Sequence, residues 1–411
     1  MLLSQNKNFS KLWIAQSISL IGDQIFLLAL PLMVYSINNS GAEMAKTYAF
    51  GMLPFLVFSF IGGSLSDQFS KKSILLYGNL ISAIPLFVLL YLKYLNIVVP
   101  SHIYLLNFIL SGVAALIMPA WEACIPSVVK RENLVEANSL TEVSVTGSQL
   151  LGPGLSGFLI GTLGAELAII LNAVSFIVSG ILVYKIEFFT HDSASKPQKT
   201  SFKIQIVEMF KNILSGIKYV PKHKILRWGV FLSTFGNLIL GAYGALLIFN
   251  MRDQLKMSPQ AIGVFTSVTT VVPIVFSVFI SKKLSLLMSR GKLMILGSIF
   301  QGLGVCLVGL SQNIYFLVLS QSLYLVAITN FQINWKSLRQ EITPHHLMGR
   351  VSGACRAIAY TGASFGAFFS SSLIDKYSVQ FLFVGQGLCI VTVAIVVGIW
   401  SPLRLKLLDT I

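Results

Sequence analysis

The chain has 411 residues, of which 55% are hydrophobic and only 11% are charged, and its formal net charge is +15. Soluble globular chains carry about 25% charged residues, so this composition excludes a cytosolic enzyme or a free nucleic-acid-binding domain and indicates a membrane protein. The four cysteines are scattered and form no CxxC motif, so neither a zinc site nor a disulfide framework is predicted.

Long apolar runs dominate the sequence. A hydrocarbon core about 30 Å thick is crossed by about 20 mostly apolar helical residues. Runs of this kind predict twelve transmembrane helices, near residues 11–36, 46–65, 73–94, 102–121, 138–161, 164–184, 226–249, 261–281, 293–311, 314–335, 351–373 and 379–401. No cleavable signal peptide is predicted, because the first run is long and no small-residue cleavage site follows a short apolar segment.

Basic residues are distributed unevenly between alternate loops. If the N-terminus is cytoplasmic, 24 of the 30 Lys and Arg residues lie inside, five lie outside and Arg356 lies within a span. Short cytoplasmic loops carry an excess of Lys and Arg, so we expect both termini in the cytoplasm and the protein in the cytoplasmic (inner) membrane. The basic charge therefore reflects membrane topology and not nucleic-acid binding.

The sequence contains an internal repeat. A shift of 214 residues aligns like positions in the two halves: Gly22-Asp23 with Gly236-Asn237, Trp121 with Trp335, and Gly152 with Gly366. We therefore expect an N-terminal six-helix bundle at 1–185, a cytoplasmic central loop at 186–225 and a C-terminal six-helix bundle at 226–411. The central loop contains apolar residues at helical spacing, which predict an amphipathic helix lying on the anionic inner leaflet.

The loop after the second span carries a recognisable motif. It reads Gly63-Ser-Leu-Ser-Asp67-Gln-Phe-Ser-Lys71-Lys72 and resembles the major facilitator signature G-x-L-x-D-x-x-x-[RK]-[RK]. The resemblance implies that Asp67 holds the two halves together at the cytoplasmic end. Glu122, at the cytoplasmic end of span four, is expected to pair with Lys71 or Lys72 in this cytoplasmic clamp, or else to act directly in transport.

Span five is rich in glycine. Gly147, Gly152, Pro153 and Gly157 form a segment with a central Gly-Pro that resembles the antiporter signature of the same family. The resemblance implies export by exchange. Ser156 stands where the signature has a glycine, and a kinked, closely packed helix without a coupling role explains the pattern equally well.

Two further segments, 118–140 and 216–226, resemble the macrolide-efflux and enterobactin-exporter branch, so the resemblance covers essentially the whole chain. It implies an all-α major facilitator fold of twelve transmembrane helices in two parallel six-helix repeats, with the site between the halves near the midplane. One departure weighs against proton coupling, because segment 107–112 in span four lacks the arginine of many proton-coupled members.

Asp23 is a charged residue near the membrane midplane, about 18 Å along the helix from Lys11. Placing a charged side chain at the bilayer centre costs at least ~2.5–3.5 kcal/mol, so an ionisable residue at this depth indicates a specific role. Asp23 could bind and release a proton during alternating access, bind a cationic group of the substrate, or form a structural hydrogen bond. Its repeat partner Asn237 cannot ionise.

Other polar residues in the spans have two readings each. Glu142 and Arg356 coincide under the same shift, so they could form an inter-bundle gate that breaks when the transporter opens inward, or a static pair. Asn330 and Asn334 belong to a polar series in span ten that could face a wet cavity beside Asp23 and Asn237. Helix packing explains some of these residues equally well.

The sequence therefore predicts a secondary active transporter that exports a small amphipathic molecule of the drug or siderophore class, by proton antiport and as a monomer. Its partners would be the substrate, protons and the lipid bilayer. No enzyme activity, cofactor, metal or nucleic acid is predicted. The alternative is an importer or facilitator of a nutrient or lipid on the same fold, because one fold hosts many substrates.

Overall fold

A computed structural model describes residues 2–187, 218–344 and 347–404. Within these ranges the chain is helical and has no strand. Its long helices, in chain order, are α1 Lys7–Asn38, α2 Gly41–Gln68, α3 Lys71–Tyr94, α4 Pro100–Val128, α5 Leu134–Leu163, α6 Ala165–Tyr184, α7 Lys224–Gln254, α8 Pro259–Phe279, α9 Arg290–Gly309, α10 Ile314–Ile342, α11 Met348–Ile374 and α12 Val379–Trp400. Short helices at Leu2–Gln5 and Ser281–Leu287 precede α1 and α9.

The described helices agree with the predicted spans. Ten of them are long and apolar enough to cross a membrane. The other two predicted spans coincide with α2 and α5, which have 28 and 30 residues. α5 is rich in glycine, serine and threonine, which lowers its hydropathy. The all-α, multi-span fold is therefore confirmed, and a long helix lies at each predicted span. The amphipathic helix predicted for the central loop falls in residues 188–217, outside the described residues.

Contacts divide the described chain into two compact units. The first contains residues 2–39, 50–187 and 257–267, and the second contains 40–49, 218–256, 268–344 and 347–404. Most of each unit comes from one of the predicted bundles. In addition, the start of α2 packs with helices of the second sequence half, and the start of α8 packs with helices of the first.

Each unit has its own apolar core, and the two cores use equivalent positions. Five pairs of core residues are related by the 214-residue shift: Leu12 and Leu226, Ile117 and Phe331, Cys124 and Leu338, Ala137 and Val351, and Val183 and Val397. Because a slip of one position would turn each side chain to another helix face, this agreement supports the internal repeat in three dimensions.

Glycine contacts between helices repeat in the same way. A β-carbon at Gly152 of α5 would overlap the Gln24 side chain of α1, and a β-carbon at Gly366 of α11 would overlap the Leu238 carbonyl of α7. The 214-residue shift relates Gly152 to Gly366 and Gln24 to Leu238. α5 therefore packs on α1 as α11 packs on α7, with a glycine at the point of closest approach.

The Gly366→Ala variant should be less stable than the parent chain. Its new β-carbon would meet the Leu238 backbone, which cannot move aside as a flexible side chain can. Overpacking of this kind costs about 1–3 kcal/mol, so we expect a lower thermal unfolding midpoint in detergent. Gly385→Ala in α12 is the control, because a β-carbon there has nothing within 4 Å. Equal midpoints for the two variants would contradict the close approach of α7 and α11.

Candidate transport site

Asp23 lies in the middle of α1, on a side of the helix that its neighbours leave open. Its side chain is exposed, as is Leu27 one turn further on, whereas Gly22 and Ile25 are buried. Its polar neighbour is Asn172 of α6. An accessible acid with one polar neighbour in an apolar span is a candidate ion or substrate site.

Asn172 is completely buried and is held in place from one side. Its Oδ1 accepts a hydrogen bond from Ser175 Oγ at 3.2 Å. Among the described residues, its Nδ2 has no partner within hydrogen-bonding geometry, and the acceptor beside it is the Asp23 carboxyl. Gly22 makes room for this arrangement, because a β-carbon there would lie 2.6 Å from Asn172 Oδ1. Sequence reasoning missed Asn172, although a buried Asn in an apolar span was the available signal.

The three asparagines predicted beside Asp23 belong to the second unit. Asn237 is partly buried, and its Nδ2 donates to Ser233 O at 2.9 Å. Asn330 is 7% exposed and Asn334 is 2% exposed. Asn330 Nδ2 donates to Leu293 O of α9 at 2.7 Å, and Asn334 Nδ2 donates to Asn330 O at 2.8 Å. In this structure Asn330 therefore fastens α10 to α9, while Asn334 bonds within α10 to Asn330. These contacts match the helix-packing interpretation.

The predicted cytoplasmic clamp lies where α2 meets α3. α2 continues through Gly63 and Asp67 to Gln68, and Lys71 and Lys72 form the first turn of α3. The side chains of Gly63 and Asp67 lie outside the described part of the structure. The clamp role of Asp67 thus stays a prediction.

The clamp lysines contact the first unit. Lys71 Nζ lies 3.1 Å from Ser127 Oγ, and Lys72 Nζ donates to Ile186 O at 2.7 Å. Glu122 is exposed, and among the described side chains no ion pair joins it to either lysine. Lys71 therefore joins the start of α3 to the end of α4, and Lys72 joins it to the segment after α6, without using Glu122.

Glu142 and Arg356 are both exposed, one on α5 in the first unit and the other on α11 in the second. Neither side chain is part of its own unit's core. Each is thus available for a partner, and the gate between them stays a prediction.

The glycine-rich part of α5 packs directly on the start of α8, and we call this contact the α5–α8 seam. A β-carbon at Gly157 would lie 2.8 Å from Gly263 Cα, and one at Gly263 would overlap the Pro153 carbonyl and lie 2.9 Å from Gly157 Cα. Gly154 N–H donates to Ser267 Oγ at 2.9 Å. Backbones approach this closely only where side chains are absent, so the seam depends on the glycines of both helices.

Another face of α5 packs on α1 near Asp23. Gly152 lies against Gln24, and Ser156 Oγ donates to Ile25 O at 2.7 Å. Ser156 therefore ties α5 to α1, one turn from the Gly-Pro, at the position where the antiporter signature has a glycine. α5 therefore contacts both α1, which carries Asp23, and α8, the second long helix of the second sequence half.

Within the described residues, no group of three His, Cys, Asp or Glu side chains could hold a metal ion. The polar groups at Asp23 are instead its carboxyl and the Asn172 amide, which can form hydrogen bonds.

A bundle of long apolar helices with repeated cores, glycine-mediated helix contacts and an isolated carboxyl in a span defines a membrane transporter. The chain belongs to the transmembrane secretion effector family of the major facilitator superfamily, which it matches over residues 3–409. It is thus a multi-pass membrane transporter and not an enzyme.

Several relatives align over most of the chain. The MFS-type transporter YkuC of Bacillus subtilis is 26% identical, and the alignment covers 97% of this chain and 93% of YkuC. The multidrug efflux pump Tap of Mycolicibacterium fortuitum is 23% identical over 94% of each chain. The enterobactin exporter EntS of Escherichia coli is 23% identical over 89% of this chain and 85% of EntS.

Solved structures share the fold at lower sequence identity. The nucleoside transporter NupG superposes with a TM-score of 0.74 at 16% identity, covering 96% of this chain and 98% of NupG. A bacterial homologue of the iron transporter ferroportin, in its inward-facing state, superposes with a TM-score of 0.73 at 17% identity, covering 95% and 98%. These similarities establish the fold of this chain.

The α5–α8 seam can be tested without knowing the substrate. We expect a Gly154→Cys/Ser267→Cys pair to form a disulfide on mild oxidation, because Gly154 N and Ser267 Oγ are 2.9 Å apart and disulfides form at Cα separations of about 4.4–6.8 Å. The four native cysteines are first replaced by alanine, and a protease site in the central loop reveals the cross-link on a non-reducing gel.

The matched control is Gly147→Cys with Ser267→Cys, because position 147 lies about 10 Å further along α5 at 1.5 Å per residue. Low cross-linking in the Gly154 pair, equal to that in the control, would contradict the seam.

Proposed function

We propose that the protein exports a small amphipathic molecule of the drug or siderophore class by proton antiport with alternating access. It would act as a monomer in the cytoplasmic (inner) membrane of a bacterium, with both termini in the cytoplasm. Asp23 would carry the coupled proton, and an importer or facilitator on the same fold is the alternative that the experiment below separates.

The observation that carries this proposal is the environment of Asp23. The carboxyl is accessible, it lies in an apolar helix, and the buried Asn172 amide lies beside it with an unused donor. An ionised carboxylate can accept a hydrogen bond from Asn172 Nδ2, whereas a protonated one carries no charge in the span. The two protonation states thus favour different local contacts, and a ligand shifts a conformational equilibrium only through such a difference.

Export is supported by the relatives and by α5. Tap is a multidrug efflux pump and EntS is an enterobactin exporter, and both align with most of this chain. The glycine-rich helix that resembles the antiporter signature forms the α5–α8 seam, so it joins spans of the two sequence halves. A transporter that alternates between two states needs contacts of this kind that can form and break.

Closure at the cytoplasmic end is assigned to the clamp and the gate. Asp67 belongs to the last turn of α2, four residues before Lys71 at the start of α3. Glu142 and Arg356 carry opposite charges and are exposed on α5 and α11. The charge pair would form when the cytoplasmic side closes.

Asp23→Asn should abolish export driven by a pH gradient, because an amide cannot bind and release the coupled proton. Everted membrane vesicles provide the measurement, with cationic ethidium and neutral chloramphenicol as amphipathic probes. Asp375→Asn, after the last turn of α11, is the control for loss of a carboxylate outside a span. Export of both probes should fall to background in the first variant only, with equal amounts of protein in the membrane.

Each other outcome has a definite meaning. Full gradient-dependent export by Asp23→Asn would overturn the proton assignment. A loss confined to ethidium would assign Asp23 to a cationic group of the substrate. Uptake of probe into right-side-out vesicles without a gradient, insensitive to uncoupler, would favour the importer.

Asp67→Ala should slow the whole transport cycle, because the cytoplasmic end would close less tightly. In the same vesicles we expect a fall in the maximal rate, while the pH dependence of export stays that of the parent chain. Asp67→Glu keeps the charge and is expected to recover part of the rate. A normal rate in Asp67→Ala would argue against the clamp.

A further inference from the structure

α7 is interrupted in the membrane, and the interruption leads directly into a tyrosine. Its first helical part ends at Ile239, and the second part begins at Tyr243 and ends at Phe249. In many transporters the substrate site is formed by discontinuous transmembrane helices. Tyr243 is only 4% exposed, so the break introduces its ring and hydroxyl into the interior of the second unit.

Tyr243 belongs to a group of four tyrosines and one glutamine that we call the tyrosine cluster. Its members are Tyr48, Tyr243, Gln321, Tyr324 and Tyr360. Tyr243 Oη donates to Gln321 Oε1 at 2.6 Å, and its ring centroid lies 4.4 Å from that of Tyr324. The hydroxyl group of Tyr48 in α2 lies near those of Tyr324 and Tyr360. Residues of α2, α7, α10 and α11 therefore meet within one unit.

The cluster has an unused hydrogen-bond donor. Gln321 is 7% exposed, and its Oε1 is occupied by Tyr243. Among the described residues, the hydrogen bond that Gln321 makes is the one to Tyr243, and its Nε2 takes no part in it. Because Tyr243 holds the other arm of the amide, Nε2 is fixed in direction and ready to meet an acceptor.

Part of the aromatic surface of the cluster is accessible. Tyr48, Tyr324 and Tyr360 are only partly buried, while Tyr243 covers Tyr324 from one side. Aromatic rings attract one another in stacked or edge-to-face arrangements with centroids about 4.5–7 Å apart. None of the five side chains carries a formal charge, so the cluster offers no counter-ion to a charged ligand.

We propose that the tyrosine cluster binds the aromatic part of the substrate, a neutral planar ring that carries a hydrogen-bond acceptor. The acceptor receives a hydrogen bond from Gln321 Nε2, and the ring stacks on Tyr324 beside Tyr48 and Tyr360. This inference rests on the proposed function and names the chemical class that part of the substrate belongs to.

The test measures binding to the purified full-length protein in detergent by equilibrium dialysis. Coumarin supplies a planar ring with a carbonyl acceptor, naphthalene supplies a ring without an acceptor, and δ-nonalactone supplies the acceptor without a ring. We expect coumarin to bind at least about tenfold more tightly than the lactone, because stacking and the hydrogen bond both contribute.

Variants separate the two contacts. Gln321→Glu keeps an acceptor for the Tyr243 hydroxyl but loses the donor, so coumarin binding should fall about tenfold while naphthalene binding is unchanged. Tyr324→Leu should weaken both ring ligands, whereas Tyr324→Phe should bind them as the parent chain does. Tyr315→Leu is the control on the same helix, because Tyr315 is 85% exposed.

Thermal unfolding midpoints show whether a variant is folded, and Tyr360→Leu replaces Tyr324→Leu if the latter is not. Equal binding of coumarin and the lactone, or unchanged coumarin binding in both Gln321→Glu and the leucine variant, would overturn the site. If coumarin binds as expected but is not exported by the parent chain, the site stands and the proposed export function is wrong.

Discussion

Direct contact between helix backbones is the constraint on which the rest of this structure depends. In a bilayer the lipid is as apolar as a leucine side chain, so burial of apolar surface does not drive helices together, and close packing must do so. The chain meets this requirement with glycines. Gly157 faces Gly263, and Gly366 faces the Leu238 carbonyl. A β-carbon added at Gly302 would lie 2.6 Å from the Gly387 carbonyl oxygen. Where backbones are this close, few side chains are needed to fasten a helix, and polar side chains become available for other roles.

The polar side chains in the spans fall into two groups because of this. Asn330, Asn334 and Ser156 donate hydrogen bonds to backbone carbonyls of the same or the adjacent helix. These bonds stabilise helix packing. Asn172 and Gln321 differ, because each has one arm of its amide bonded and leaves its NH2 group without a partner among the described residues. A buried amide fixed at one end and unpaired at the other is oriented before its partner arrives, which reduces the entropy lost on binding.

Much of this architecture follows from the sequence because the membrane allows few alternatives. A 30 Å core and a rise of 1.5 Å per residue fix the length of a span, so apolar runs alone locate the helices. The repeat was visible in Gly152 and Gly366 because close packing conserves glycine positions. Asn172 was not predictable, since its importance depends on α6 packing against Gly22, far away in sequence. The same holds for the α5–α8 seam, because no local pattern shows that Gly263 would face Gly157.

The two repeats share their cores but differ at the level of Asp23, and the differences point to separate roles. Gly22 packs against Asn172 beside an ionisable residue, whereas its equivalent Gly236 has no atom within 4 Å of an added β-carbon and precedes Asn237. The residue equivalent to Asn172 is Gln386, which donates to Ser370 instead. α1 continues without a break where α7 is interrupted. One repeat thus keeps a regular helix with a titratable group, and the other gives up helix regularity to place Tyr243 against Gln321. The proposed proton antiport requires one site that responds to protons and another that recognises the substrate. Divergence of two copies of one fold would provide both while retaining the packing that holds each copy together.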